Sequence, residues 1–374
     1  MRVLVTGANG FIGKNLLLHC QEKDGIDVVP FTREHRVNDL PMLLEGVDWV
    51  IHLAGINRPQ KTEEFVTGNI GLTRQLCAAI KASYRQVPVV YTSSIQAESD
   101  NDYGSSKRSA EDALLALRQD TGNPVFIYRL PNVFGKWARP NYNSAVATFC
   151  HNISRDLPVH IHDPLSNIRL VYVDDVVNSF MALLAGDETD TSRSDNAYVD
   201  VTPEYQISVG ELIDQIRRFK ASRDSLITEP VGKGFVRALY STYVSYLPPE
   251  RFTYPVQQHQ DARGVFVEML KTRDAGQFSF FTAHPGITRG GHYHHSKTEK
   301  FLVIKGNACF RFRHMLTGEC YELHTSGEQS EIVETVPGWT HDVTNVGEDE
   351  LICMLWANEV FDRDKPDTFA CRLE

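Results

Sequence analysis

The chain opens with MRVLVTGANGFIG, residues 1–13, and this stretch decides the fold of its first half. Its β-branched run Arg2 to Val5 predicts a buried strand, which leads through Gly7, Gly10 and Gly13 into a leucine-rich helical segment. A strand that passes through glycines into a helix directs free backbone N–H groups and the positive end of the helix dipole at one place. The stretch therefore predicts a pyrophosphate site, and the alternative is a glycine-rich turn without a ligand.

Strands and helices alternate through the first half of the chain. Short apolar runs predict further strands at Asp27–Phe31, Trp49–Leu53, Val87–Tyr91 and Val125–Tyr128, with helical segments between them such as Asn69–Ala82. This alternation predicts an α/β fold with a doubly wound parallel sheet of the Rossmann type.

The composition changes near Tyr246–Glu250, where a proline pair with polar flanks predicts a linker. Beyond it, short β-rich runs broken by glycine and proline predict an all-β barrel or jelly roll. A chain of 374 residues is too long for one ordinary core. We therefore expect two domains, residues 1–245 and 246–374.

Charge and cysteine pattern exclude several classes of partner. A net charge of −10 argues against nucleic acid and anionic membranes, and no apolar run is long enough for a membrane span. The seven cysteines are scattered without a C-x-x-C pair, which predicts reduced thiols in a cytoplasmic protein. The N-terminus enters a strand at once, so no cleaved signal peptide is expected.

The glycine spacing G-x-x-G-x-x-G resembles that of the extended short-chain dehydrogenase/reductase family, whose members bind a nicotinamide dinucleotide. An acidic residue about 20 positions beyond the last glycine would bind the ribose of NAD. Arg33 stands there instead and favours the 2′-phosphate of NADP(H), although it could also be an ordinary surface arginine. Asp39 and Leu40 resemble the family's adenine-facing pair. The resemblance implies cofactor contacts at Gly7, Asn9, Gly10, Phe11, Ile12, Gly13, Arg33, Asp39, Leu40, Leu53, Ala54, Gly55, Tyr103, Lys107, Leu130 and Asn132.

A serine at a strand end and a Tyr-x-x-x-Lys pair form the predicted catalytic group. Tyr103 and Lys107 lie four residues apart on one helix face, so the ammonium is expected to lower the pKa of the phenol. Ser94 would hydrogen-bond the substrate oxygen beside the tyrosine. Ile95 and Gln96 stand where nucleotide-sugar dehydratases of the family carry Asp-Glu, which leaves reduction, oxidation or redox-assisted epimerisation.

Residues 129–135 resemble the family's R-x-x-N-V-[YF]-G loop, in which Asn132 would face substrate and nicotinamide. Basic and amide side chains follow closely, a composition suited to a nucleotide-sugar diphosphate. Each of them could also be a solvated surface group. The candidate substrate contacts are Asn132, Lys136, Arg139, Asn141 and Arg169.

The second domain contains GITRGGHYHHSKTE, residues 286–299, which fits the first cupin motif at every fixed position. Alternation places His292 and His294 on one face of a strand, while Glu299 and His341 would complete the site. Imidazole and carboxylate ligands suit Zn, Fe, Mn or Ni, and we expect a divalent metal, with zinc favoured. The second motif, around His341, is one residue shorter than usual. The alternative is a histidine cluster in a metal-free cupin.

Together, the segments Lys136–Ser144 and Gly291–His295 give the chain a similarity to enzymes of capsular polysaccharide synthesis that join an extended short-chain reductase to a C-terminal cupin. The similarity implies a UDP-activated 4-keto amino sugar, UDP-2-acetamido-2,6-dideoxy-4-hexulose, as substrate. The cupin would epimerise C3, and the reductase would use NADPH to give UDP-2-acetamido-2,6-dideoxy-L-talose, on the route to UDP-N-acetyl-L-fucosamine. It also implies a homo-oligomer, a dimer or a tetramer.

Two alternatives stay open at this point. The first is an NAD-dependent UDP-sugar 4-epimerase whose cupin only supports assembly, and Arg33 argues against it. The second is a cupin that binds sugar or mediates oligomerisation without catalysis.

Overall fold

The computed structural model describes residues 1–57, 59, 61, 63–186, 196–256, 258–261, 264–267, 269–272, 276–359 and 364–373. The chain forms two compact units. Met1–Ser144 and Arg169–Gln206 make the first unit, while Ala145–Ile168 and Ile207–Glu374 make the second. No helix within the described ranges is both long enough and apolar enough to cross a membrane.

Helices and strands alternate in the first half of the chain, and strands dominate the last third. The helices are α1 Phe11–Gln21, α2 Leu40–Leu43, α3 Glu63–Phe65, α4 Leu72–Ala82, α5 Asp102–Thr121, α6 Ala145–Ser154, α7 Val173–Ala185, α8 Val209–Ser225 and α9 Gly234–Ser245. The strands before residue 209 are β1 Arg2–Thr6, β2 Asp27–Phe31, β3 Trp49–His52, β4 Val89–Ser94, β5 Val125–Leu130, β6 Asn132–Phe134, β7 Asn167–Tyr172 and β8 Glu204–Ser208.

The first unit is built on a parallel sheet in the order β2-β1-β3-β4-β5. This confirms the predicted Rossmann-type sheet. The predicted fourth strand was placed too early in the sequence: β4 runs to Ser94, so the Thr-Ser-Ser segment belongs to the strand. Its six residues are all buried between neighbouring strands and helices, which fixes the direction of the serine side chains.

The predicted helix from Asn69 to Ala82 is regular only from Leu72 onward. Residues 66–71 form a π-helical turn, in which Asn69 is buried. The amide of Asn69 binds both the N–H and the carbonyl of Ile56, at 2.7 and 3.0 Å, and donates to Ser106 Oγ at 2.9 Å. These contacts hold the loop after β3 against α5, and a π-turn at such a place is common near functional sites.

The second unit combines α6, α8 and α9 with a β-barrel. Helix α8 begins at Val209, where Ser208 and Glu211 form a capping box. The expected linker near residue 246 is not an exposed one: Tyr246 and Leu247 are 8% and 5% exposed. The apolar side chains that follow α9 therefore pack inside the second unit.

A buried carboxylate explains why α8 and α9 belong with the barrel. Glu334 is 1% exposed and accepts hydrogen bonds from Arg223 of α8 at 2.6 Å and from Tyr240 of α9 at 2.8 Å. Lys300 of the barrel pairs with the same group. The last segment of the second unit thus begins at residue 207. The division at 245/246 into a reductase and a cupin module stays a prediction.

The barrel consists of two five-stranded antiparallel sheets, β10-β19-β16-β21-β14 and β18-β17-β20-β15-β22. This confirms the all-β second fold of the cupin type. The strands after residue 209 are β9 Ile227–Thr228, β10 Thr253–Pro255, β11 Gln258–Asp261, β12 Gly264–Val267, β13 Lys271–Thr272, β14 Gln277–Ala283, β15 Thr288–Tyr293, β16 Glu299–Lys305, β17 Asn307–His314, β18 Cys320–Ser326, β19 Glu331–Glu334, β20 Trp339–Asn345, β21 Leu351–Ala357 and β22 Phe369–Ala370. Four of them lie outside the two five-stranded sheets, where β9 pairs with β13 and β11 with β12.

Candidate functional sites of the two units

The glycine turn between β1 and α1 is shaped by close backbone contacts. Gly7 has φ +70°, and a Cβ there would lie 2.7 Å from the backbone nitrogen of Ala54. A Cβ on Gly13 would lie 2.4 Å from the carbonyl oxygen of Gly7. Helix α1 begins at Phe11 after Gly10, with no side chain capping its first N–H groups. The turn therefore presents open donors and a helix N-terminus, the arrangement that pyrophosphates bind.

A cavity of about 200 Å³ lies at the carboxyl ends of the parallel strands in the first unit. Nine of the predicted cofactor and catalytic residues line it: Phe11, Ile12, Leu53, Gly55, Ser94, Tyr103, Lys107, Leu130 and Asn132. Ile95 and Gln96 also line it, so the position of the dehydratase acids is occupied by groups that cannot transfer a proton. Asn143, one of the amides after the R-x-x-N-V-[YF]-G loop, also lines the cavity, as does Asn57, which the sequence did not single out.

The Tyr103–Lys107 pair differs from the prediction in its electrostatics. Burial raises the pKa of Tyr103 above its ordinary value, and hydrogen bonding to Ser94 and Asn57 only opposes this. Lys107 instead donates to the backbone carbonyl of Thr92 at 2.9 Å, and burial lowers the pKa of its ammonium to about 8. The net pKa of the phenol is thus raised, with desolvation as the largest cause. That the Lys107 ammonium lowers it stays a prediction.

Glu111, which the sequence did not single out, connects the helix and strands that carry the predicted catalytic residues. Its side chain is buried and accepts hydrogen bonds from Ser93 Oγ, from Tyr198 at 3.2 Å and from Arg129 at 2.6 and 3.1 Å. Glu111 also raises the pKa of Lys107, against the effect of burial. Its position four residues after Lys107, on the same face of α5, is the signal that could have identified it.

The residues predicted to contact the adenosine half of the coenzyme lie mainly in the segment after the second strand. Arg33 is exposed and forms no ion pair with any described carboxylate. Asp39 accepts a hydrogen bond from the backbone N–H of Arg36 at 2.7 Å. The side chain of Leu40 is 1% exposed and packs in the core, so only its backbone is available for an adenine. Asn9 is exposed at the glycine turn.

The predicted substrate contacts fall into different environments. Asn132 lines the cavity and donates to the carbonyl of Arg169 at 3.2 Å. The guanidinium of Arg169 is paired with Glu204 through two contacts, at 2.5 and 2.8 Å. Arg139 is exposed, with its guanidinium 5.2 Å from the ring centre of Tyr142. Asn141 is also exposed, with φ +56°.

The prediction for Lys136 is wrong. Its side chain is fully buried, and its ammonium lies 2.8 Å from a carboxylate oxygen of Asp174. An ammonium that is ion-paired inside the fold cannot reach a ligand without leaving that charge unpaired, which is strongly unfavourable. Lys136 therefore has a structural role.

In the second unit the four predicted metal ligands converge. His292, His294, Glu299 and His341 each offer one ligand atom, and these atoms all lie within 4.8 Å of one another. His292 on β15 and His341 on β20 are paired across one sheet, while Glu299 comes from β16 in the other. Three imidazoles and a carboxylate in this arrangement fit a tetrahedral or octahedral divalent metal.

The ligand atoms are oriented by groups outside the cluster. His294 Nδ1 lies 2.5 Å from the carbonyl oxygen of Asp367, which leaves Nε2 facing the cluster. The carboxylate of Asp367 also binds three consecutive backbone N–H groups, those of His295, Ser296 and Lys297. His341 is buried, and its Nε2 lies 3.4 Å from a carboxylate oxygen of Glu299, inside the cluster.

Asp367 was not predicted, because it lies 73 residues after His294 and outside both cupin motifs. His295 lies beyond the end of β15, and its ring packs against Phe369.

Comparison with known proteins agrees with both halves. A family model described as NAD dependent epimerase/dehydratase family matches residues 3–197, and one described as Polysaccharide biosynthesis C-terminal domain matches residues 259–369. UDP-2-acetamido-2,6-beta-L-arabino-hexul-4-ose reductase of Pseudomonas aeruginosa is 63% identical over 371 residues, which cover 99% of this chain and 98% of that protein.

Solved structures extend the comparison to the fold. Capsular polysaccharide assembling protein CapF from Staphylococcus aureus matches with a TM-score of 0.68 and 37% identity, over 100% of both chains. UDP-glucuronic acid 4-epimerase from Bacillus cereus covers 59% of this chain and 85% of its own, with a TM-score of 0.53; at 22% identity this shows the fold alone. The chain therefore belongs to the NAD dependent epimerase/dehydratase family and, with its polysaccharide biosynthesis C-terminal domain, shares the architecture of CapF.

Proposed function

We propose that the chain is a bifunctional enzyme that acts on UDP-2-acetamido-2,6-dideoxy-4-hexulose. Its cupin epimerises C3, and its first unit then reduces the C4 ketone with NADPH to UDP-2-acetamido-2,6-dideoxy-L-talose. The observation that carries the proposal is the convergence of Ser94, Tyr103 and Lys107 on one cavity at the carboxyl ends of the parallel strands. The Pseudomonas aeruginosa relative, named as a reductase of a UDP-4-keto sugar, supports the same reaction.

In the reduction step, the glycine turn would hold NADPH, which would supply the hydride for C4. Tyr103 donates its phenolic proton to the oxygen that becomes the alcohol, and its raised pKa keeps that proton in place until hydride transfer. Ser94 orients the same oxygen. Lys107, whose ammonium lies at the cavity wall, holds the cofactor ribose and stabilises the tyrosinate that remains.

In the epimerisation step, His292, His294, Glu299 and His341 would hold a divalent metal, with zinc favoured, and that metal would supply Lewis-acid chemistry at the C4 carbonyl. The C3 proton passes to solvent and a solvent proton adds to C3 from the opposite face, so atoms and charge are conserved. The proton on C3 is acidic only while C4 is a carbonyl. Epimerisation therefore precedes reduction, and reduction traps the product.

An NMR time course of the 4-keto sugar in D₂O tests both steps. Without NADPH, we expect deuterium to enter at C3 with no change in redox state; with NADPH, a single talo product should accumulate with stoichiometric NADP⁺. Failure to reduce the ketone would contradict the proposal. Tightly bound NAD in the purified protein, with interconversion at C4, would establish the 4-epimerase instead, and absence of C3 exchange in metal-loaded protein would leave the cupin a binding module.

We further propose that the enzyme is a homo-oligomer, a dimer or tetramer, and that it works in the cytoplasm. The seven cysteines, all free thiols in the structure, support a reducing compartment.

A further inference from the structure

The barrel of the second unit has a cavity of about 240 Å³ that opens onto the histidine cluster. His292, Glu299 and His341 line it, as do three residues not yet given a role: Phe281, Arg289 and Asp342. A sugar that reaches the cluster must enter this cavity together with its nucleotide, because the two are covalently joined. The cavity therefore needs a group that can receive a diphosphate.

Arg289 on β15 is held in a defined position at the wall of the cavity. Its Nη1 donates to the carbonyl of Thr282 at 2.8 Å, and its guanidinium carbon lies 5.3 Å from the ring centre of Phe281. An arginine that stacks on an aromatic ring and donates through one edge keeps its other N–H groups for a ligand. The side chain is exposed, so an anion can approach it.

The other charged groups of the cavity already have partners. Asp342 forms a two-point ion pair with Arg311, at 2.9 and 2.7 Å, and Glu299 is paired with Lys297 at 2.8 Å. Arg289, in contrast, forms no ion pair with a carboxylate anywhere in the described parts of the chain. It is the charge in the cavity that a bound anion can neutralise.

The backbone of β15 relates Arg289 to the metal candidates. The strand has a bulge between Gly290 and His292. Gly290 has φ +100°, and a Cβ at this position would lie against the carbonyl oxygen of His341. Arg289 and His292 are three positions apart, with Gly290 and Gly291 between them, which is roughly 10 Å along an extended strand. This spacing leaves room for a pyranose ring between an anion on the guanidinium and the imidazole cluster.

We propose that Arg289 binds the diphosphate of the UDP-sugar while C3 and C4 of the sugar lie at the histidine cluster. This inference rests on the proposed function and names the residue that selects nucleotide sugars over free sugars in the epimerisation step. A guanidinium makes paired hydrogen bonds to phosphate oxygens, which gives both affinity and a fixed orientation of the sugar. Arg289 is thus a specificity residue of the cupin.

Binding of UDP to the full-length protein, measured by titration calorimetry, tests the inference without depending on turnover. Wild-type protein should bind two UDP per chain, one in each unit. Arg289→Gln should weaken one site by about tenfold to a hundredfold, the loss expected for charge-assisted hydrogen bonds, and leave the other unchanged. Arg289→Lys keeps the positive charge but cannot make the paired hydrogen bonds of a guanidinium. Its affinity for UDP at this site should therefore lie between those of the wild type and Arg289→Gln.

The matched control is Lys305→Gln, which removes a positive charge from an exposed position of the same barrel outside the cavity. It should leave both UDP sites unchanged. In the C3 exchange assay, Arg289→Gln should raise KM by the same factor as it weakens UDP. A single UDP site in the wild type, or two unchanged sites in Arg289→Gln, would overturn the inference. Absence of C3 exchange in the wild type would instead overturn the proposed function.

Discussion

The carboxylate of Glu111 accepts three hydrogen bonds from the guanidinium of Arg129, at 2.6, 3.1 and 3.2 Å. Because Glu111 lies on α5 and Arg129 on β5, this pair joins the helix that carries Tyr103 to the sheet, and Ser93 at the end of β4 donates to the same carboxylate. The buried carboxylate of Glu111 thus joins α5, β4 and β5, three elements at the predicted reductase cavity.

Glu111→Gln is expected to lower the free energy of unfolding by about 3 kcal/mol, because it leaves much of the Arg129 charge uncompensated beside a buried amide. Urea denaturation measures this. Glu204→Gln is the matched control: Glu204 also pairs with an arginine, but both partners are largely solvated, so its loss should cost less than about 1 kcal/mol. Equal effects of the two variants would show that burial of the Glu111 pair does not matter.

The reduction rate should decline as the pH rises through about 8, where buried Lys107 loses its proton. Tyr103 cannot cause this decline, since its raised pKa keeps the phenol protonated over that range. Because the Glu111 carboxylate raises the pKa of Lys107, Glu111→Gln should move the decline to lower pH. The profile of kcat/KM for NADPH between pH 6 and 10 gives the result, and a rate that is flat to pH 10 would contradict it.

Replacement of Arg33 should change the preference between coenzymes. Arg33→Gln is expected to lower kcat/KM for NADPH by about tenfold to a hundredfold, because a charge-assisted contact to the 2′-phosphate is lost. The value for NADH, which lacks that phosphate, should hardly change. Lys23→Gln, an exposed charge loss beyond the other end of α1, should alter neither value. An equal loss with both coenzymes would remove Arg33 from the selection of NADPH.

His341→Ala should abolish metal binding in the barrel. With one of the imidazoles gone, the remaining ligands hold a divalent ion much more weakly, so metal analysis after dialysis should fall from about one ion per chain to almost none. His324→Gln is the control, because His324 belongs to a more exposed group with Cys309 and Glu322. Full retention of metal by His341→Ala, or its loss from His324→Gln, would locate the ion elsewhere.

Local patterns in the sequence predicted the parallel sheet, the glycine turn and the cupin cluster. The Tyr103–Lys107 spacing and the His-x-His motif fix geometry over a few residues, so chain periodicity is enough to place them. Glu299 and His341 were predicted from the two cupin motifs, which fix the spacing between residues on different strands. The shortened second motif did not prevent His341 from joining the cluster.

What the sequence could not supply depends on contacts between distant residues. In the sequence, Lys136 resembles a cation that binds a ligand. In the fold it pairs with Asp174, which lies 38 residues later in the chain. The compact unit that includes α8 and α9 depends on Glu334, more than 100 residues after Arg223. The raised pKa of Tyr103 could not be predicted either, because residue spacing indicates proximity to Lys107 but not the burial of the phenol.

The central claim is that hydride reduction in the first unit depends on Tyr103 and is separate from proton exchange in the barrel. The most direct test is the Tyr103→Phe variant, followed by NMR with the 4-keto sugar and NADPH in D₂O. We predict that ketone reduction falls by at least about a hundredfold, the contribution typical of general acid catalysis, while deuterium still enters at C3 at the wild-type rate. Undiminished reduction by Tyr103→Phe would contradict the account.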